Sequence, residues 1–123
     1  MIAHTSLFVS NYKKSKAFYK KLLKPLGYKI KYEFGEATGF NDGKNTDFWM
    51  ATHEKGVIMS HLAFEAKNKK EVEAFYKAGL AAGGRDNGSP GYRKHYWPGY
   101  YAAYIYDPDG HNIEAVFYDY DEK

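Results

Sequence analysis

The chain is two copies of one pattern. Displaced by 57 residues, His4 falls on His61, Asn11 on Asn68, Lys13 on Lys70, Ala17-Phe18-Tyr19-Lys20 on Ala74-Phe75-Tyr76-Lys77, Leu23 on Leu80 and Gly27 on Gly84. Nine identities in 24 ungapped positions stand against about two expected by chance from ordinary residue frequencies. The whole chain is 123 residues, so each copy is too small to hold a sizeable core alone and the two must share one. A single domain follows, with a first module over about 1–56 and a second over about 57–123.

Both copies have the same order of elements. Residues 4–9 alternate, with Leu7 and Val9 on one face and His4, Ser6 and Phe8 on the other, the pattern of a half-buried strand. A helix from about Lys13, capped by Ser10 or Asn11, carries one apolar stripe of Phe18, Tyr19, Leu22, Leu23 and Leu26; Pro25 and Gly27 end it. The second copy has a strand over 58–66, then a helix opened by Asn68 with Glu71 three residues on, striped by Val72, Phe75, Tyr76 and Leu80 and stopped by Gly83-Gly84. Short strands complete each copy: 28–33, Ala37–Asn41 and 47–51 in the first, then a weak one near Arg85, 101–106 and 112–117 in the second. Asp107-Pro108-Asp109-Gly110 makes a tight turn, and residues 92–97, bracketed by Pro-Gly pairs, are read as a loop. The expected fold is α+β, β-α-β-β-β twice.

Composition removes several classes of function. With no cysteine, disulfides, zinc fingers, thiol nucleophiles and iron–sulfur clusters are excluded. Net charge is +3 and only Arg85 and Arg93 are arginines, so nucleic acid is not an expected partner. No apolar run approaches the roughly 18 residues of a membrane span and residues 1–11 lack a signal-peptide pattern, so the expected location is the cytoplasm, with no membrane partner. Aromatic residues reach 19%, and seven of them fall within 92–106. Tyrosine, apolar in body and polar at its tip, suits the wall of a partly wet pocket as well as a packed strand.

Strand parity points to a site. His4 lies opposite Leu7 and Val9; His61 and Glu65 lie opposite Leu62, Phe64 and Ala66; Glu114 lies opposite Ile113, Ala115 and Phe117. These polar groups therefore project from the side of the sheet that the helices leave bare. Two imidazoles, at equivalent positions of a duplicated unit, and one carboxylate form a ligand set for a first-row divalent ion; satisfied surface or core residues are the plainer reading. His53, His95 and His111 lack that symmetry and read as surface or turn residues, His95 also as a pocket wall. Arg93 suits a carboxylate or phosphonate, or is simply a solvated loop residue.

His4 opening a strand, Ser15-Lys16-Ala17-Phe18-Tyr19 with Leu26-Gly27-Tyr28, His61-Leu62-Ala63-Phe64 and Asp107-Pro108-Asp109-Gly110-His111-Asn112-Ile113-Glu114 together resemble the vicinal oxygen chelate superfamily. That group includes glyoxalase I, fosfomycin-resistance transferases, bleomycin-resistance proteins, methylmalonyl-CoA epimerase and extradiol dioxygenases. The resemblance implies paired βαβββ modules forming a U-shaped sheet cleft around a metal, commonly in a dimer, with ligand positions that match His4, His61 and Glu114. It implies one divalent ion per site (Zn, Ni, Mn, Fe or Co) and a small oxygen-rich substrate whose oxyanion or enolate is stabilised by a lyase, isomerase, transferase or dioxygenase. Glyoxalase I has a fourth ligand and base, a glutamate on the fourth strand; aligning 47–50 with 112–115 puts Trp49 there, so standard glyoxalase I activity is not expected. Substrate contacts are expected from Arg93, Tyr96, Tyr101 and Trp49, with Glu65 supporting His61 from behind; no catalytic base is assigned. The assembly expected is a homodimer in which His4 of one chain meets His61 and Glu114 of the other. The alternative is a metal-free small-molecule or antibiotic-binding protein that uses the aromatic cleft.

Overall fold

The first copy folds as β1 (Thr5–Phe8), α1 (Tyr12–Leu22), a 3-10 turn (Lys24–Leu26), β2 (Lys29–Phe34), β3 (Ala37–Asn41) and β4 (Phe48–Ala51). The second folds as β5 (His61–Glu65), α2 (Lys69–Ala81), β6 (Arg85–Tyr92), β7 (Tyr100–Tyr106) and β8 (Asn112–Tyr118). This computed structural model describes residues 1–121; the last two residues of the expected second module, 122–123, lie outside the described residues.

The helices begin where the sequence provides caps. Asn11 Oδ1 accepts from Lys14 N at 3.1 Å, and Asn68 Oδ1 accepts from Glu71 N at 2.9 Å. Each satisfies a backbone donor that the first helical turn leaves free. Glu71 Oε1 returns to accept from Lys67 N at 2.9 Å. Gly27, at φ 87°, closes the 3-10 turn in the left-handed region that glycine enters without strain.

The strands form two four-stranded sheets, ordered β1-β4-β3-β2 and β5-β8-β7-β6. The β1–β4 and β5–β8 pairs are parallel and the remaining pairs antiparallel. The duplicated strands β1 and β5 are therefore open sheet edges. Two boundaries differ from the sequence reading. β1 and β5 are shorter than expected, leaving His4 one residue before its strand and His61 first in its own. β6 is not weak but eight residues long, because register shifts around Gly88 and Gly91 let it follow β7 despite Pro90; an edge strand tolerates that proline.

One core joins the two copies. Leu7, Phe40, Phe48 and Met50 from the first sheet meet Phe64, Ala103, Ile105, Ile113 and Ala115 from the second, with Phe18, Leu22, Val72 and Phe75 from the helices. Adding a Cβ at Gly84 would bring it to 2.9 Å from Phe18 and 2.7 Å from Ile105, so α1 reaches the second sheet where only glycine fits. Because both helix-side faces are consumed by this core, the bare faces of both sheets lie outside it. The β7–β8 turn clamps the copies together at one end. Tyr19 donates to Asp107, the Ser10 amide and hydroxyl donate to Asp109, and His111 Nε2–H donates to the Phe8 carbonyl at 2.8 Å.

Candidate functional site

Register fixes what each bare face carries. In the second sheet His61 pairs with Asn112 and Ala63 with Glu114, while Glu114 pairs with Tyr104 across β7. His61, Glu114, Tyr104 and Tyr100 thus share one face, as alternation requires. His61 Nε2 stands 3.0 Å from Glu114 Oε1. The imidazole Nδ1–H donates to the Asn112 carbonyl at 3.0 Å, so in the neutral ring Nε2 is the lone-pair nitrogen. Two lone-pair atoms at that distance repel unless a proton or a metal ion lies between them. Two donors bound at about 2.1 Å in adjacent octahedral positions are themselves about 3.0 Å apart, so the pair fits a first-row ion.

Glu114 is deeply buried, 3% exposed at its side chain, and its second oxygen accepts from the Tyr100 hydroxyl. Burial first, then that bond, pushes the Tyr100 phenol well above its usual range. Burial followed by the Glu114 charge does the same for Tyr104. Both phenols stay protonated as donors. His61 lies nearly parallel to the Tyr104 ring, centroids 6.5 Å apart. A cleft of about 300 Å³ opens beside this pair, lined by Asn87, Gly88, Arg93, His95, Tyr96, Tyr104 and Asn112.

The first sheet carries the corresponding half. Ser6 pairs with Trp49 as Ala63 pairs with Glu114, so Trp49 occupies the place that Glu114 holds in the second copy. Its indole lies flat over Gly39, where a Cβ would come within 2.8 Å of the ring. Tyr32, Phe34 and Trp49 have mutual centroid distances of 6.1–6.2 Å and planes within 14° of one another. The three near-parallel rings form one aromatic cluster on this face.

The expected site residues are only partly brought together. His61 and Glu114 meet. His4 is exposed, and among the described residues no third histidine or carboxylate gathers with that pair within 4.8 Å. Arg93, Tyr96 and His95 line the adjacent cleft. Tyr101 does not: it faces α2, 8% exposed, and its hydroxyl donates to Glu73 at 2.7 Å. Glu65 is exposed and lies near Tyr118, and the Asn112 carbonyl takes the role expected of it behind His61. His111, read as a surface or turn residue, is fully buried.

Asp107, Asp109 and His111 do bring three ligand-type atoms within 4.8 Å of one another. The sequence reading passed over this group, although Asp-Pro-Asp-Gly-His packs three such side chains into five residues. Both His111 nitrogens are already used, Nδ1 accepting from Ser60 N at 3.0 Å and Nε2–H donating to Phe8. The two carboxylates hold Tyr19, Ser10 and the turn's own amides.

Residues 1–115 match the family model described as Glyoxalase/Bleomycin resistance protein/Dioxygenase superfamily. Among solved structures, a glyoxalase/bleomycin resistance protein from Albidiferax ferrireducens T118 superimposes with a TM-score of 0.81 at 29% identity, over 94% of this chain and 96% of that one. A glyoxalase-related enzyme from Fulvimarina pelagi gives 0.73 at 22%, covering 95% and 87%. A lactoylglutathione lyase from Agrobacterium tumefaciens gives 0.70 at 20%, covering 95% and 92%, a likeness of fold alone. Among curated proteins no sequence matches the chain.

Proposed function

Because this chain belongs to the glyoxalase/bleomycin resistance protein/dioxygenase superfamily, we propose that it is a metal-dependent enzyme acting on a small oxygen-rich molecule. Its ion is held by His61 and Glu114 of one chain and His4 of a second copy. The observation that carries this reading is the His61–Glu114 pair, 3.0 Å apart with the outer imidazole nitrogen anchored on the Asn112 carbonyl. A ligand histidine needs such an anchor to fix its tautomer and ring direction. A bound Zn, Ni, Mn, Fe or Co ion would polarise two substrate oxygens and stabilise the oxyanion or enolate that forms. Tyr100 holds the second oxygen of Glu114 and so orients the carboxylate. The reaction is a lyase, isomerase, transferase or dioxygenase step other than that of glyoxalase I, because Trp49 stands where a fourth ligand and base would be needed.

The second copy enters because one face of a chain supplies two of the three ligands, His61 and Glu114, and the other face supplies only His4. The edge strands β1 and β5 are unpaired on their outer sides, and the residues leading into them are exposed and apolar: Ile2 at 79%, Ile58 at 81% and Met59 at 57%. Open edges flanked by apolar side chains favour pairing with a partner. No helix among the described residues is long and apolar enough to cross a membrane.

A second reading, a metal-free small-molecule binding protein, is favoured by the Tyr32–Phe34–Trp49 cluster, in which Tyr32 and Phe34 are exposed and Trp49 is half-buried. Metal analysis of the purified protein separates the two. The enzyme reading requires about one divalent ion per chain and a loss of 10-fold or more in metal affinity for His61→Ala. Equal metal content in wild type and His61→Ala would overturn it.

A further inference from the structure

Residues 1–32 hold eight lysines and no aspartate or glutamate. The rest of the chain, with ten basic and 15 acidic residues, is net acidic. Folding gathers part of this positive charge in one place. A groove of about 500 Å³ is lined by Lys16 and Lys20 from α1, Lys24 from the 3-10 turn and Lys29 from the edge strand β2. Tyr28 and Ile30 add apolar surface to it. Glu33 is the one carboxylate among the described residues of that lining, and it is paired with Lys16. Lys20, Lys24 and Lys29 are exposed, and none of them forms an ion pair among the described residues.

The fold itself does not call for this arrangement. Lys16 and Lys20 stand four residues apart on α1, with Lys24 four further on, and like charges at that helical spacing repel. The second copy builds the same unit without them. The 57-residue displacement puts Glu73, Lys77, Ala81 and Asp86 at the places of Lys16, Lys20, Lys24 and Lys29. Both carboxylates there serve the chain's own hydroxyls: Glu73 accepts from Tyr101 at 2.7 Å and Asp86 from Tyr76 at 3.0 Å. Nor does solubility explain the lysines, because a surface of mixed sign keeps a protein dissolved equally well. A concavity lined by one sign of charge instead concentrates ions of the other sign.

We propose that the α1–β2 groove is a binding site for a small molecule carrying two or more linked phosphate groups. Lysine binds phosphate as a compact point charge, and several separate ammonium groups around one space favour an anion of several charges over a single carboxylate. The volume is that of a small-molecule site. A nucleic-acid surface would be expected to present arginine, and both arginines of the chain, Arg85 and Arg93, belong to the second copy. None of the elements that form the groove carries His61 or Glu114, so the site is independent of the metal reading.

The test is calorimetric titration of the full chain at low ionic strength with inorganic triphosphate, orthophosphate and adenosine triphosphate. Triphosphate should saturate at about one per chain, bind about 10-fold or more tighter than orthophosphate, and weaken as sodium chloride is raised. The triple variant Lys20→Gln, Lys24→Gln, Lys29→Gln should bind it about 10-fold or more weakly, with a ligand-free thermal midpoint no lower than that of wild type, since only mutual repulsion is removed. Lys77→Gln, at the matching place of α2, and His61→Ala should both bind triphosphate as wild type does. Adenosine triphosphate bound more tightly than inorganic triphosphate assigns the groove to a nucleotide, with Tyr28 and Ile30 receiving the nucleoside; equal affinity assigns it to the phosphates alone. Absence of saturable binding, unchanged binding by the triple variant, or an equal loss in Lys77→Gln would overturn the proposal. So would loss of binding in His61→Ala, which would place the anion at the metal face, or a short DNA duplex bound more tightly through the same lysines.

Discussion

His111→Ala tests whether the Asp107–Asp109–His111 group is a clamp or a metal site. In the folded chain the imidazole is fully buried and makes two hydrogen bonds, to the Phe8 carbonyl at 2.8 Å and from the Ser60 amide at 3.0 Å. Removing it orphans the Phe8 carbonyl, at about 1–3 kcal/mol for a buried group, whereas the Ser60 amide lies nearer solvent and loses less. The cavity left by a buried ring adds about 1–2 kcal/mol. The sum, about 2–5 kcal/mol, is a large fraction of a small domain's stability. Urea unfolding of chelator-treated wild type and variant measures it, with the slope in denaturant checking that the unfolded states match. The loss should be present in full without metal, because the clamp works through backbone atoms of both copies. A variant within 0.5 kcal/mol of wild type without metal, but with metal binding abolished, would refute the clamp and make this group the ion site.

Trp49 at the fourth-ligand place predicts no enzyme-like turnover of the hemithioacetal of methylglyoxal and glutathione; robust lactoylglutathione formation, followed by its absorbance, would count against the strand register as the reason. Trp49→Glu, which restores a carboxylate there, should tighten metal binding about 10-fold or more by direct titration. The phenol of Tyr101 is pushed up to about 12 by burial first and then by its bond to Glu73. A raised acid is held protonated by the fold, so its contribution is complete below the ordinary tyrosine range near pH 10 and is lost as pH climbs from there towards 12. Stability followed by circular dichroism should fall over that window, with the tyrosinate absorbance of Tyr101 appearing together with unfolding; a flat stability profile across it would contradict the assignment.

Local periodicity made the fold legible. The 57-residue displacement predicted the equivalence of β1 with β5 and of α1 with α2, and the parity of Glu114 against Ile113 and Ala115 placed it on the bare face beside His61. The same parity rule would have separated Tyr101 from Tyr100 and Tyr104. Tyr101 shares its face with Ala103 and Ile105, which pack under α2, but counting aromatics in one stretch masked the alternation. His111 was not legible because its partners, the Phe8 carbonyl and the Ser60 amide, are backbone atoms distant in sequence that leave no residue-type signature. The placing of Arg93 over the Tyr104 ring, 5.3 Å from its centroid, was hidden for a related reason. It depends on the bulges of β6, and Gly-Ser-Pro-Gly at 88–91 reads locally as a turn rather than as a strand bent to seat an arginine.

The central claim, an ion held between His4 of one chain and His61 and Glu114 of another, is tested most directly by mixing two variants. His4→Ala and Glu114→Ala should each bind metal at least 10-fold more weakly than wild type when alone. After subunit exchange, half of the dimers are mixed and each carries one site with all three ligands, so titration should recover about a quarter of the wild-type high-affinity capacity. Recovery at that level establishes a site shared across the two-fold axis. No recovery, or sedimentation as a monomer at micromolar concentration with metal still bound by wild type, would contradict the account.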